Sequence, residues 1–171
     1  MSDRKTVEEQ IMLMKKIEES RADTLWFGNT AVSILVSSAD SADGVAIIEH
    51  HVPYGDGPPL HIHHSEDEIF YAISGEVLLE VAGVSRTLRA GDCVNAPKGV
   101  PHRFRVVSPE GARWLTVTRG ADFETMVRTV SRVPTHAGLP TAAAPTPEMI
   151  EALTAACARN QIDIVGPPLM G

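Results

Sequence analysis

The residues of this chain best suited to chemistry are histidines. His61 and His63 stand one residue apart in a short β-prone run, Leu60 to His63. In an extended strand alternate side chains point to the same side, so a His-x-His pair aims two imidazoles at one point. Such a point can hold a metal ion. Glu68 lies five residues beyond His63, after a polar turn of His64, Ser65, Glu66 and Asp67. A strand folding back there can return its carboxylate to the same locus, and His102 can come from a neighbouring strand to close the set. Three neutral imidazoles and one carboxylate suit a first-row divalent ion; two histidines and a carboxylate with open positions is the arrangement of oxygen-activating iron sites. Iron, manganese, nickel, cobalt, copper and zinc all accept these donors, so the residue types leave the metal open.

Strands must position these side chains, and the sequence supplies them. From about Leu25 to Thr118 short β-prone runs alternate with turn residues, a texture that predicts an all-β sandwich or barrel. The expected strands are Val32 to Val36, Val45 to Val52, Leu60 to His63, Ile69 to Ser74, Val77 to Val81, Arg86 to Leu88, Cys93 to Ala96, His102 to Val107 and Trp114 to Thr118. Gly55-Asp56-Gly57-Pro58-Pro59, Ser74-Gly75, Ala90-Gly91-Asp92 and Pro97-Lys98-Gly99 are among the turns between them. Ahead of the barrel, Thr6 to Arg21 reads as a helix with Thr6 and Glu9 in capping-box spacing and Ile11, Met14 and Ile17 on one stripe, packing on the barrel or a partner. After Gly120 the sequence reads as irregular, and Pro134 to Pro147 as a connecting loop. Thr146-Pro147 then opens a second helix with Met149, Ile150, Leu153, Ala156 and Cys157 on one face, followed by an extended tail from Ile162 to Val165. The organisation expected is therefore an N-terminal helix over 1–24, a barrel over 25–120, and a loop, helix and tail over 121–171 packing on the barrel.

Composition narrows the field of partners. The chain has 171 residues, 43% hydrophobic and 22% charged, with a net charge of −7. One domain is expected at this length. The negative balance argues against nucleic acid and anionic membrane surfaces, and no apolar run approaches the roughly 18 residues of a spanning helix. Two cysteines and no recognisable leader suggest a cytoplasmic protein. Cys93 and Cys157 both read as buried packing thiols. There is no phosphate-loop glycine pattern, no Gly-x-Ser-x-Gly elbow and no helix-turn-helix.

Taken whole, the spacing is Gly55, five residues, His61, one, His63, four, Glu68, six, Gly75. It resembles the first motif of the cupin family at every signature position. Gly91, five residues, Pro97, one, Gly99, two, His102 resembles the second, fifteen residues after the first. Val106 stands where that family usually carries an asparagine. The resemblance implies a jelly-roll (double-stranded β-helix) barrel of six to eight strands, flanked by helices, with one divalent metal held by His61, His63, Glu68 and His102 inside its mouth. Pro58-Pro59-Leu60-His61, Gly120-Ala121-Asp122-Phe123-Glu124 and the Ile164-Val165-Gly166-Pro167-Pro168-Leu169 tail are similar to the single-domain group described as quercetin dioxygenase-like.

The same parity extends the site. If Glu68 and His102 face the lumen, Phe70, Ala72, Phe104 and Val106 face it too, giving a mainly apolar pocket for a small aromatic or hydrophobic substrate with chelating oxygens. Arg103 and Arg105 fall outside, in solvent or at a subunit contact. His50 and His51 point opposite ways, so at most one reaches the lumen, while His64 and Glu66 read as a wet turn or as groups behind the ligands. Gly75, Gly91 and Gly99 read as turns needing unusual backbone angles or close approach. The leading expectation is a metal-dependent dioxygenase, with Glu68 as a ligand that can also act as general base. Oxygen-independent isomerase, lyase or decarboxylase chemistry and a non-catalytic binding module are the alternatives. A homodimer is the expected assembly.

Overall fold

The computed structural model describes residues 6–8, 11–12 and 24–170. In chain order the described strands are β1 (Thr24–Phe27), β2 (Thr30–Val36), β3 (Val45–Val52), β4 (Pro59–His63), β5 (Glu68–Ser74), β6 (Val77–Val81), β7 (Val84–Leu88), β8 (Cys93–Ala96), β9 (His102–Val106), β10 (Ala112–Arg119) and β11 (Ile162–Pro168). Helices α1 (Asp122–Val130) and α2 (Pro147–Arg159) separate the last two strands. All pairings are antiparallel, in a six-stranded sheet β1-β2-β3-β10-β5-β8 and a five-stranded sheet β11-β4-β9-β6-β7. The sheets form a jelly-roll barrel. It has more strands than the six to eight expected; β1 lengthens one sheet at its edge and β11 the other.

Alternation along the strands decides what lies inside. On β3, Ala46, Ile48, His50 and Val52 are buried; on β5, Glu68, Phe70 and Ala72; on β10, Ala112, Trp114, Thr116 and Thr118. Each is flanked by less buried neighbours, the period-two signature of a sheet with one face in the core. One apolar cluster joins Val52, Phe70, Ala72, Leu79, Val106 and Trp114, and a second joins Val32, Ile34 and Ile48 to residues of the two helices. Gly75 illustrates why the turns are specified: its φ is +76°, and a Cβ there would lie 2.2 Å from the Gly111 carbonyl oxygen. Gly91 and Gly99 share the positive φ but face open space, so they need the backbone angle alone.

The helices depart from expectation in instructive ways. Residues 122–130, expected to be irregular, form α1. It presents Phe123, Met126 and Val127 to the core, with Val130 packed alongside, an i, i+3, i+4, i+7 stripe. No local side chain caps its start. The α2 helix begins where expected, at Pro147, with the Thr146 hydroxyl accepting from Met149 N at 3.3 Å. Its apolar face is only half used, however: Ala156 and Cys157 are buried while Met149 and Ile150 are exposed. The predicted helix over Thr6 to Arg21 lies mostly outside the described residues, including Met14 and Ile17. Val7, Glu8, Ile11 and Met12 are helical, and Val7, Ile11 and Met12 are exposed rather than packed on the barrel. No helix among the described residues is long and apolar enough to cross a membrane.

Glu124 fastens α1 to the turn after β2. It accepts from Ser38 N, Ser38 Oγ and Ser37 Oγ at 2.8 Å each and from Arg128 Nε at 2.9 Å. Burial alone would raise this carboxyl, but those donors overcome it and hold it below its ordinary 4.5. A depressed carboxyl stabilises the fold above the unfolded value, and the gain is lost as pH falls through the folded one. Glu124→Gln is therefore expected to cost about 2 kcal/mol near pH 7. The deficit should shrink as pH falls below 4.5; urea midpoints at neutral and acid pH check it.

The cysteines divide where both were expected inside. Cys157 is buried and its thiol is pushed up to about 11 by burial. Cys93 sits on the outward side of edge strand β8 and is exposed; at a sheet edge, strand parity alone leaves the choice of face open. An exposed thiol supplies thiolate far more readily than a buried one. Titration of native protein with a thiol reagent is expected to label Cys93 alone, and denatured protein to yield both cysteines.

Candidate metal centre

The four residues of the tetrad come from three strands. His61 and His63 lie on β4, His102 on β9 directly opposite His61, and Glu68 at the start of β5 in the other sheet. The four donor atoms all lie within 4.8 Å of one another. Backbone carbonyls orient two of the rings: His61 Nδ1 is 2.9 Å from Pro59 O and His102 Nδ1 is 3.1 Å from Val100 O. Each Nδ1–H donating outward leaves Nε2 as the inward donor atom, the tautomer a metal-binding imidazole requires. His102 Nε2 is 2.9 Å from Glu68 Oε2, and His63 Nε2 is 3.3 Å from the same oxygen.

Burial and the bond between Glu68 and His102 act in opposite directions on the tetrad. His63, Glu68 and His102 are buried and His61 is half-buried. Desolvation, with the neighbouring His102 adding to it, pulls His61 down to about 4. Burial alone would raise Glu68, but the hydrogen bond from His102 and the nearby His63 imidazole hold it well below the usual carboxylate range. Burial opposes charge on His102 as well; its bond to Glu68 prevails and raises it.

Whether these residues fit an ion can be tested on His63. Both of its ring nitrogens are buried and neither makes a hydrogen bond. Buried polar groups without partners are uncommon and costly. A cation among the donors would satisfy Nε2, and three imidazoles with one carboxylate are the donors a divalent transition metal takes. The cluster thus fits a metal, with His61, His63, Glu68 and His102 as the residues to hold it.

Aromatic rings surround the tetrad. Phe70 meets the His102 ring edge-on at 6.3 Å, and Phe123 of α1 meets His63 at 5.5 Å. Trp114 meets Phe104 at 4.9 Å and Phe70 at 6.5 Å. Of the four residues expected to line a pocket, Phe104 is half-buried, while Phe70, Ala72 and Val106 are packed in the apolar cluster. Ala72 and Val106 lie further along their strands, opposite Trp114 and Val77.

Residues beyond the motifs resolve as follows. His50 is the member of its pair that turns inward; His51 faces outward, beside Glu49 and Arg113. Glu66 is buried and accepts from Asp122 N and Phe123 N at the start of α1, at 3.2 and 2.8 Å. Burial pushes its carboxyl up against the pull of the Phe123 amide. His64 is exposed and pairs with Asp163 of β11 at 2.9 Å. Arg103 and Arg105 do face outward, where they hold the C-terminal tail through Pro167 O and Leu169 O. Sequence reading places Phe123 only in the Gly120 to Glu124 resemblance and gives it no place in the site; its spacing with Met126, Val127 and Val130 is the signal that could have found it.

Known proteins agree with this geometry. Residues 48–118 match the cupin domain family. Quercetin 2,3-dioxygenase of Bacillus subtilis is 29% identical over 82 residues, 48% of this chain and 24% of that protein, so the matched stretch spans about a quarter of the relative. Among solved structures, a predicted oxalate decarboxylase from Thermotoga maritima superposes with a TM-score of 0.50 at 23% identity, covering 53% of this chain and 79% of that one. A cupin domain from Schizosaccharomyces pombe gives 0.50 at 14% identity, covering 61% and 73%. These two likenesses speak for the fold. The matched stretch contains all four residues of the tetrad.

Proposed function

We propose that this protein is a metal-dependent, dioxygenase-type oxidoreductase acting on a small aromatic or enediol-like substrate bound in the barrel. The observation that carries the reading is the convergence of three imidazoles and one carboxylate within 4.8 Å, with two rings fixed by backbone carbonyls. The ion, when bound, would orient chelating oxygens of the substrate and stabilise oxyanion character. The protein's own residues do the rest. Phe70, against the His102 ring, and Phe104 beside it offer an apolar flank on which an aromatic substrate gains from stacking, with Ala72 and Val106 packed deeper behind them. Glu68 is the one carboxylate of the set; with Oε2 engaged by His102, Oε1 is the atom to accept a substrate hydroxyl proton. The match to a quercetin 2,3-dioxygenase supports oxygen chemistry. A homodimer belongs to the same reading, supported by Ile69 and Tyr71 exposed on the outer face of β5.

The test is oxygen uptake by metal-loaded protein across a panel of flavonols and aromatic enediols, beside a His61→Ala, His63→Ala double variant. Uptake by the wild type and none by the variant is expected. Uptake indistinguishable between the two across the panel defeats the proposal, and turnover that persists without oxygen transfers the site to oxygen-independent chemistry. Light scattering reports the assembly.

A further inference from the structure

His50 lies on the inward face of β3, opposite Trp114 of β10, and is 5% exposed. Its ring lies parallel to Trp114, 5.3 Å away with 2° between the planes, and 6.0 Å from Phe123. Phe123 in turn meets His63 of the tetrad. His50 therefore belongs to the aromatic surround of the metal centre without being one of its four donors. Its Nε2 is buried and has no hydrogen-bond partner. Burial pulls the imidazole down to about 4, against the attraction of Glu68, so the ring is neutral near physiological pH. A phenylalanine would fill this stack equally well and leave no nitrogen unpaired. Among the described residues nothing satisfies this buried nitrogen, and it lies beside the site.

Building on the reading of the site as a metal centre for small oxygen-bearing aromatics, we propose that His50 Nε2 hydrogen-bonds an oxygen of the ligand held at the tetrad and so helps decide which ligands fit. His50 is then a specificity residue rather than a packing residue, and two substitutions separate these roles. His50→Phe keeps the stack and removes the nitrogen; His50→Gln removes the stack and keeps a polar group at similar reach.

The measurement is a visible titration of cobalt(II)-loaded protein with 4-nitrocatechol, without oxygen, alongside cobalt content and thermal unfolding of each variant. The Phe variant is expected to hold as much cobalt as the wild type and to bind 4-nitrocatechol about 10- to 100-fold more weakly. The Gln variant should stay within about threefold of the wild type. A Phe variant that binds as the wild type does, a Gln variant as weak as Phe, or a Phe variant that loses cobalt overturns the proposal. If the Gln variant does not fold, the Phe variant alone decides. Wild-type protein that takes up no cobalt defeats the metal-centre reading itself, whereas cobalt uptake without 4-nitrocatechol binding defeats only the role given to His50.

Discussion

Replacing His61 and His63 together by alanine is expected to take bound metal from about one ion per chain to background. The pair supplies half of the donor set, and it does so from one strand. What remains is Glu68 and His102, already bonded to each other at 2.9 Å; those two groups satisfy one another and have little to gain from an ion. Glu68→Gln should also lose metal heavily. Changes to groups that merely orient ligands cost about 10- to 100-fold in affinity, and a charged donor should exceed that. The loss should come without collapse of the fold, because among the described residues neither His63 nitrogen makes a hydrogen bond that its removal would break. Elemental analysis after dialysis measures the metal directly. A thermal series adds a second readout: an ion at a hundredfold excess over its dissociation constant stabilises the wild type by about 2.7 kcal/mol, and the double variant should not respond. One ion per chain retained by the variant would place the metal elsewhere.

The tetrad was legible because strand parity pairs two of its members and the motif spacing that resembles the cupin family supplies the other two. Strand parity aims His61 and His63 together, and glycine and proline turns mark where the chain reverses to bring Glu68 and His102 back. The strands Val45–Val52, Val77–Val81 and Cys93–Ala96 fall where alternation and turn residues put them. What escaped depends on partners far away in sequence. Helix α1 carries Thr125, Val127, Thr129 and Val130, β-branched residues with weak helix preference, and its capping group is Glu66, more than fifty residues upstream. No local signal announces such a cap. Strand β1 is four residues long and is tied down by a bridge from Trp26 to Arg132, again a distant partner. The half-used face of α2 follows the same logic, since periodicity shows that Met149 and Ile150 share a stripe with Ala156 but not how far the barrel beneath them extends.

Glu66→Ala is expected to destabilise the fold by about 3 to 5 kcal/mol and to loosen the metal centre with it. Glu66 is 2% exposed. Its two oxygens take the backbone N–H groups of Asp122 and Phe123, the kind of donors that a helix start leaves without intrahelical partners. The carboxylate also meets the positive end of the helix dipole. Gly120 makes room for it: a Cβ at that position would lie 2.3 Å from Glu66 Oε1. Alanine at 66 leaves two buried donors unpaired and a void where the carboxylate stood. Glutamine keeps the volume but presents an amide in place of the charge, so a smaller loss of about 1 to 2 kcal/mol is expected. Phe123, the first buried residue of α1, is held by one of these bonds, and its ring rests on both His63 and His50. Freeing the helix start therefore unseats a wall of the site. Denaturant unfolding should rank wild type above Glu66→Gln above Glu66→Ala, and cobalt dissociation measured on the same proteins should quicken in the same order. If stability falls while cobalt release stays unchanged, α1 serves the fold alone and Phe123 has no part in closing the metal centre.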